Sequence, residues 1–267
     1  MKAEALFRGL RRGNSQGVGG LVCRKILRLQ PEFLGEIQQE VNDLCQHHLP
    51  SDVHDPEHIT HWTQPFGGVY QFSLFNRSGC FDDFSSDHDH SCLHKHFHAG
   101  EAYPALARLM AALPHLVNFR LNLLCPQSGL QAHEENLFFL SKHHTVAAKL
   151  RFHLPVQTNP GAEVMLAGQI HHLEAGTIYF VHHGCAHSAH NHGDENRLHL
   201  VWDMLLTQDT FHWMQGLATR CNDALLPIPE DQANCEPLRL VPIGASQRLV
   251  PLIAPNERVN LAFCLPQ

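Results

Sequence analysis

The sequence predicts a mainly β protein with flanking helices, an α+β chain whose strands form a sandwich or a barrel. Two observations support this prediction. From Leu116 onward, short apolar runs alternate with turn residues at the spacing of many short strands. Before that point, two stretches carry apolar residues at helical spacing. The strands therefore occupy the centre of the chain, with helices on either side of it.

The first 115 residues contain two of the predicted helices. An apolar run over Leu21–Leu29 is a candidate strand. The first helix is expected over 31–48, with a proline in its first turn. A second amphipathic helix is expected over 102–113. Between the two helices, residues 49–100 are polar and irregular, with short apolar pieces such as 69–75.

The strands that follow have one polar face. Arg151 and His153 share a face of one strand, and Arg197, His199 and Asp203 share a face of another. Successive side chains point to opposite faces of a strand, so the polar faces can line a site while the apolar faces pack. The predicted strands are 117–125, 147–154, 163–166, 169–173, 177–182, 186–191 and 197–205.

We divide the chain into three segments that form one compact unit. Residues 1–115 are an N-terminal α/β extension that packs on the core, and residues 116–206 are the core. Residues 207–267 supply a C-terminal helix, expected over 209–225, and a proline-rich tail from Pro227 that covers the surface.

Composition argues against several classes of protein. The formal net charge of −7 gives no nucleic-acid footprint. No run of about 18 apolar residues predicts a membrane span, and the N-terminus has no apolar core of a secretory signal. The nine cysteines are odd in number and include no C-x-x-C, which favours reduced thiols in the cytoplasm.

Histidine is unusually frequent, with 24 residues against 19 for lysine and arginine together. The pattern H-x-[DE], which can supply two metal ligands from one strand, occurs at His133/Glu135, His172/Glu174 and His192/Asp194. About two such matches are expected by chance in this composition, so the pattern alone is weak evidence. A second cluster, His88, His90, His94, His96 and His98, is interpreted as a polar loop rather than a metal site.

The sharpest local feature pairs His187 with Arg197. Turn residues Asn191, Gly193 and Asp194 lie between them. In a hairpin closed at position 192, the two side chains would lie opposite each other on one face. A metal-ligand type of residue and a carboxylate-binding type would then share one wall of a pocket.

Three blocks of the sequence together resemble the aspartyl/asparaginyl β-hydroxylase family. They are FRLNLLCPQSGLQAHEEN, LRFHLPVQTNP and HSAHNHGDENRLHLVWD, in the family's order, within residues 117–206. The resemblance implies a double-stranded β-helix core, a jelly-roll of the cupin-like kind. It also implies Fe(II), 2-oxoglutarate and O2 as cofactor and cosubstrates.

Carried over position by position, the resemblance implies a site. His133 and His187 match the metal histidines, and Glu135 stands at the position of the acid ligand. Arg197 matches the arginine that binds the far carboxylate of 2-oxoglutarate. The remaining matches are Arg151 and His153, the family's R-x-H at the oxo-acid end, and Asn122, in place of a small polar residue that helps to hold the cosubstrate.

One departure from the family is length. The interval from His133 to Arg151 is longer than usual, and residues 137–148 are expected to form an extended loop at the mouth of the pocket. Two histidines in that interval, His143 and His144, compete with His133 as the first ligand. Arg120 is expected to form a structural ion pair rather than to join the site.

These expectations describe an Fe(II)- and 2-oxoglutarate-dependent dioxygenase. It would hydroxylate an unactivated C–H of an amino acid or peptidyl residue, of an Asp, Asn or Pro-like kind, in a small-molecule or peptide substrate. One alternative is a cupin-like or catalytically inactive metal-binding module, and another is a binding or scaffold protein that uses the barrel alone. Retention of Arg197 beside two metal-type histidines argues against both, since a module without a cosubstrate has no need of that arginine.

Overall fold

The computed structural model describes residues 22–48, 68–90, 94–135, 137–140, 146–215, 224–241 and 250–252. The helices are α1 Pro31–His48, α2 Phe84–Asp87, α3 Pro104–Ala111 and α4 Gln208–Met214. The strands are β1 Cys23–Leu29, β2 Val69–Ser73, β3 Leu116–Leu124, β4 Ser128–Glu135, β5 Phe138–Leu140, β6 Val146–Gln157, β7 Ala162–Leu166, β8 Gln169–His171, β9 Thr177–Val181, β10 His187–Asn191, β11 Arg197–Leu205, β12 Leu225–Pro227, β13 Arg239–Leu240 and β14 Val250–Leu252.

The strands form two sheets. An eight-stranded sheet has the order β12-β1-β9-β6-β11-β3-β2, with β5 paired to β6, and all its pairs are antiparallel. A six-stranded sheet has the order β13-β8-β7-β10-β4-β14, in which only the β14–β4 pair is parallel among the described strands. Apolar clusters join the two sheets, for example Val69 and Leu124 with Leu130 and Ala189. The fold is a double-stranded β-helix, as the sequence predicted.

One face of the eight-stranded sheet is apolar and is covered by helices. On β11 the alternating residues Leu198, Leu200 and Trp202 belong to the main core cluster, and Leu150, Phe152 and Leu154 of β6 join them. Helix α1 packs against α3 and against β6. The helical spacing of its buried apolar residues gives α1 the single apolar stripe that such packing requires.

The opposite face of this sheet is polar and lies toward the six-stranded sheet. Arg197, His199 and Asp203 of β11 are all buried, as is Arg151 of β6. Arg151 is in contact with Glu135, which β4 of the other sheet presents. The expected division of β6 and β11 into a packing face and a polar face is confirmed.

The termini contribute strands to the same sheet as the centre of the chain. β1 pairs with β9, β2 pairs with β3, and β12 pairs with β1. The division at residues 115 and 206 therefore stays a prediction about organisation. The helix expected over 102–113 is present as the shorter α3. The helix expected over 209–225 is too long: α4 ends at Met214, and Leu225 belongs to β12. Residues 216–223 lie outside the described part. None of the described helices is both long and apolar enough to cross a membrane.

Two local expectations are wrong. His187 and Arg197 do not face each other in a hairpin, because β10 pairs with β4 and β7 whereas β11 pairs with β3 and β6. The turn at 192–196 carries the chain from one sheet to the other. The segment 137–148 is also not a simple loop, since β5 pairs with the start of β6. The residues between those strands, which include His143 and His144, lie outside the described part of the chain.

Candidate functional site

The three candidate metal ligands meet between the sheets. Potential ligand atoms of His133, Glu135 and His187 all lie within 4.8 Å of one another. His133 and Glu135 are two residues apart on β4 and share a face, and the β10–β4 register places His187 directly opposite His133. The two imidazole centroids are 4.1 Å apart. Strand pairing, rather than a hairpin, brings the ligand set together.

Hydrogen bonds fix the tautomers of both histidines. The Nδ1 of His133 lies 2.7 Å from the carbonyl oxygen of Gln131, and the Nδ1 of His187 lies 2.9 Å from that of Cys185. A carbonyl oxygen can only accept, so each Nδ1 carries the proton and donates it. Each Nε2 then has a free lone pair, the state in which imidazole binds a metal. Burial, and next the neighbouring His133, lower the pKa of His187 to about 3, which keeps that ring neutral.

Glu135 is held by a cation and lies beside His133. Its Oε1 accepts from Nη1 of Arg151 and lies 3.9 Å from Nε2 of His133. Burial alone would raise the pKa of this carboxyl, but Arg151, His183 and Lys149 outweigh it and hold the pKa well below its ordinary value. The side chain is therefore an anion, with 14% of its surface exposed.

Arg151 is fixed by a second carboxylate. Its Nε and Nη2 donate to the two oxygens of Asp203 at 2.8 and 2.9 Å, a bidentate pair. Asp203 is fully buried and also accepts from Asn118 at 3.0 Å, while the Nζ of Lys149 lies 3.5 Å away. The structure thus places Arg151 between Asp203 and Glu135. The role expected for it at the oxo-acid end of a cosubstrate stays a prediction.

Arg197 stands in contrast, because it has no counter-ion among the described residues. It is 2% exposed, and its Nη2 donates to Nδ1 of His199 at 2.9 Å, while its Nε has no partner. Burial lowers the pKa of Arg197 to about 9. An uncompensated buried charge is expensive, and a planar guanidinium pairs best with a carboxylate. The surroundings of Arg197 therefore fit an anionic ligand.

Further unpartnered polar atoms lie beside Arg197. His199 faces Asn122 across the β11–β3 pair, and the ring of His153 lies 5.8 Å from that of His199. Among the described residues, the Oδ1 of Asn122, the Nδ1 of His153 and the Nε2 of His199 are all buried without a hydrogen-bond partner. The register pairs Asn122 with His199 and His153 with Val201, and the roles expected for Asn122, His153 and Arg197 in holding a cosubstrate stay predictions.

Two buried residues of the site were not assigned a role from the sequence. His199 belongs to the polar face of β11, so the alternation of that strand was a usable signal. His183 follows β9 and carried no signal, because it is one of many histidines outside a strand. Neither ring nitrogen of His183 has a hydrogen-bond partner in the described part of the chain, and its Nε2 lies 3.9 Å from Oε2 of Glu135.

The remaining charged candidates lie apart from this cluster. Arg120 forms an ion pair with the fully buried Asp87, so its expected structural role is confirmed. Among the residues that the structure describes, His133, Glu135 and His187 are the one group able to hold a metal through three such side chains. The five described histidines between 88 and 98 do not form another.

Comparison with known proteins gives one match over most of the chain and several general likenesses. The family model described as Aspartyl/Asparaginyl beta-hydroxylase matches residues 34–206, more than half of the 267 residues. No curated protein matches the chain. The match spans the three candidate ligands, Arg151, Arg197 and the polar faces of β6 and β11.

Three solved structures illustrate the likeness in fold. A prolyl-4-hydroxylase of Pseudomonas putida shares 12% identity, with 76% of this chain and 98% of that chain covered and a TM-score of 0.36. The non-heme alpha ketoglutarate dependent epimerase SnoN from nogalamycin biosynthesis shares 15%, with 88% and 99% covered and a TM-score of 0.42. HygX from Streptomyces hygroscopicus, with nickel and 2-oxoglutarate bound, shares 9%, with 67% and 82% covered and a TM-score of 0.36. These likenesses are general, and no residue role is taken from them.

Proposed function

The chain belongs to the aspartyl/asparaginyl β-hydroxylase family, and from that membership we propose that it is an Fe(II)- and 2-oxoglutarate-dependent dioxygenase. The reaction would convert a substrate C–H, 2-oxoglutarate and O2 into the hydroxylated product, succinate and CO2. O2 is the oxidant of that reaction, and bound iron with 2-oxoglutarate as the second electron donor would activate it. The chain's own residues would bind and orient the metal and the cosubstrate and exclude water from the site.

The observation that carries the proposal is the isolated charge of Arg197. Buried cations in folded proteins are paired, and the other deeply buried cations of this site, Arg151 and Lys149, have Asp203 and Glu135. Arg197 has a neutral imidazole instead. A dicarboxylate cosubstrate would supply the missing anion, with its far carboxylate on the guanidinium and its oxo-acid end toward the metal ligands.

The donor set fits ferrous iron. Two neutral imidazoles and one carboxylate are the ligands of the facial arrangement that non-haem Fe(II) oxygenases use, and they leave positions open for other ligands. His133 and His187 would each offer Nε2, and Glu135 would offer a carboxylate oxygen. We propose that Glu135 serves both as ligand and as the partner of Arg151, since its two oxygens allow both roles.

The charged network behind the ligands has a positioning role. Asp203 holds Arg151 through two hydrogen bonds, and Arg151 in turn holds Glu135. Because Asp203 and Arg151 are buried, this chain of contacts has little freedom to rearrange. A carboxylate fixed in this way stays beside the two Nε2 atoms before a metal arrives, which lowers the reorganisation that metal binding requires.

The proposed substrate class rests on the family to which the chain belongs and not on contacts within the site. We propose an amino-acid side chain, free or in a peptide, as the group that is hydroxylated.

The reduced state of the cysteines would suit the cytoplasm, and all six that the described part contains are free. A mild negative charge on the chain suits a small-molecule or peptide substrate better than a nucleic acid.

A turnover assay tests the proposal. The purified chain with Fe(II), ascorbate and 2-oxoglutarate is expected to release succinate slowly without substrate and faster with it. Arg197→Met is expected to raise the KM for 2-oxoglutarate about a hundredfold or more, because a buried charge pair is lost. Arg108→Met, which removes an exposed arginine paired with Glu36, is the matched control and is expected to leave KM unchanged. Metal binding without any binding of 2-oxoglutarate would instead indicate an inactive metal-binding module.

A further inference from the structure

His199 shares the buried end of the site with Arg197. The two residues are neighbours on one face of β11, at positions i and i+2, and are 1% and 2% exposed. The resemblance that pointed to Arg197 gave His199 no role. Its position raises the question of what a second buried, polar side chain does there.

The contact between the two residues determines where the imidazole carries its proton. The Nη2 of Arg197 lies 2.9 Å from the Nδ1 of His199. A guanidinium has only donors, so Nδ1 must be the acceptor and must be unprotonated. The ring is then neutral with its proton on Nε2. Burial, and next the charge of Arg197, lower the pKa of His199 well below its ordinary value, which agrees with a neutral ring.

The resulting Nε2–H donor has nothing to donate to among the described residues. The Nε2 of His199 and the Nε of Arg197 are both buried without a hydrogen-bond partner. Asn122, directly opposite His199 in the sheet, has an unpartnered acceptor of its own, so the two side chains do not satisfy each other. A desolvated donor without a partner is destabilising. A carboxylate has two oxygens and can accept from both of these donors.

We infer that His199 is a cosubstrate-binding residue, whose Nε2–H donates to the far carboxylate of 2-oxoglutarate while its Nδ1 orients the guanidinium of Arg197. This inference rests on the proposed function. One carboxylate oxygen would accept from Arg197 and the other from His199. The pair acts as one rigid unit because each side chain fixes the orientation of the other. The selectivity of the site for a dicarboxylate over a 2-oxo monoacid then depends on both residues.

Binding measurements on two variants separate the two functions of the imidazole. In His199→Asn the amide oxygen can replace Nδ1 as acceptor for Arg197, but nothing replaces the Nε2–H donor. In His199→Gln the longer amide can replace the donor but not the Nδ1 acceptor. Anaerobic calorimetry with Mn(II)-loaded protein measures the dissociation constants of 2-oxoglutarate and of 2-oxobutyrate, which lacks the far carboxylate.

We expect His199→Asn to weaken 2-oxoglutarate binding by about tenfold to a hundredfold, the value of one hydrogen bond to a charged group. Binding of 2-oxobutyrate and of Mn(II) should not change, and His199→Gln should lose less than His199→Asn. The matched control is His171→Asn, since His171 is equally buried and lies on β8 of the other sheet. It is expected to bind both acids as the parent chain does.

Three results would overturn the inference. The first is a 2-oxoglutarate affinity that changes less than twofold in His199→Asn. The second is an equal loss for both acids, which would indicate a structural role. The third is an Nδ1–H tautomer, detected by long-range proton–nitrogen NMR of the ring in the unliganded parent chain, and this readout does not depend on whether a variant folds. A parent chain that binds Mn(II) but no 2-oxoglutarate would overturn both this inference and the proposed function, whereas the first two results would leave the proposed function intact.

Discussion

Replacing Arg197 with methionine should stabilise the protein when neither metal nor cosubstrate is bound. The guanidinium is buried with no counter-ion among the described residues, and burial lowers its pKa to about 9. The pKa values of Arg197 in the folded and the unfolded chain both lie above 7, so the whole penalty is present at pH 7. The lowering of the pKa corresponds to roughly 5 kcal/mol. Against it stands the hydrogen bond to His199, worth about 1 kcal/mol. Replacements of buried charges by apolar side chains of similar volume have stabilised proteins by about 1–4 kcal/mol, and we expect a gain in that range.

Urea unfolding at pH 7, with the metal removed by a chelator, measures this change. With a dependence of about 2–3 kcal/mol per molar urea, the midpoint should rise by about 0.3–2 M. Arg108→Met should shift the midpoint little, because an exposed ion pair contributes about 0–1 kcal/mol. A lower midpoint for Arg197→Met would mean that Arg197 stabilises the unliganded fold, which is the opposite of this prediction. A gain in stability with a loss of cosubstrate binding is expected of a residue kept for function.

Three further predictions concern the ligands, the buried ion network and pH. Mn(II) should raise the melting temperature of the parent chain and not that of His187→Ala, as measured by thermal shift; an equal rise in both would remove His187 from the ligand set. Asp203→Asn should lower the free energy of unfolding by about 3–5 kcal/mol in urea, because it leaves Arg151 and Lys149 buried beside one anion fewer; a loss below 1 kcal/mol would contradict the network. Burial lowers the pKa of His171, so the unfolded chain takes up a proton below pH 6.5 that the folded chain does not. The free energy of unfolding therefore decreases as the pH is lowered below 6.5, and His171→Leu should reduce the slope of that free energy against pH by up to about 1.4 kcal/mol per pH unit. An unchanged slope would mean that His171 is protonated in the folded chain.

The polar faces of β6 and β11 were predictable because strand geometry is local. Alternation alone placed Arg151 and His153 on one face and Leu150 and Phe152 on the other, and the structure agrees. A period of two follows from the extended backbone and needs no knowledge of the partner strands. The same rule assigned His199 to the polar face of β11, although its partner could not be inferred.

The pairing of strands was not predictable from the same evidence. Asn191, Gly193 and Asp194 suit a tight hairpin turn and suit equally a connection between two sheets, because turn residues specify local backbone conformation only. The structure uses them to cross between sheets, so His187 faces His133 and not Arg197. His187 and Arg197, which a hairpin would have placed opposite each other, therefore lie on two different walls of the site.

The state of each charged group also depends on distances that a sequence does not contain. Arg151 and Arg197 are equivalent as residue types on polar strand faces. Asp203 and Glu135 pair with the first and no described carboxylate pairs with the second. That difference decides which arginine has an anion still to bind, and it emerges only when the strands are assembled.

A crystal structure of the chain with Mn(II) and N-oxalylglycine, a 2-oxo acid analogue with two carboxylates, would show whether the site binds metal and cosubstrate as proposed. We expect the metal on Nε2 of His133, Nε2 of His187 and a carboxylate oxygen of Glu135. We expect the far carboxylate of the analogue on Arg197, with its second oxygen within hydrogen-bond distance of Nε2 of His199. A metal bound without both histidines, or a far carboxylate away from Arg197, would contradict this proposal.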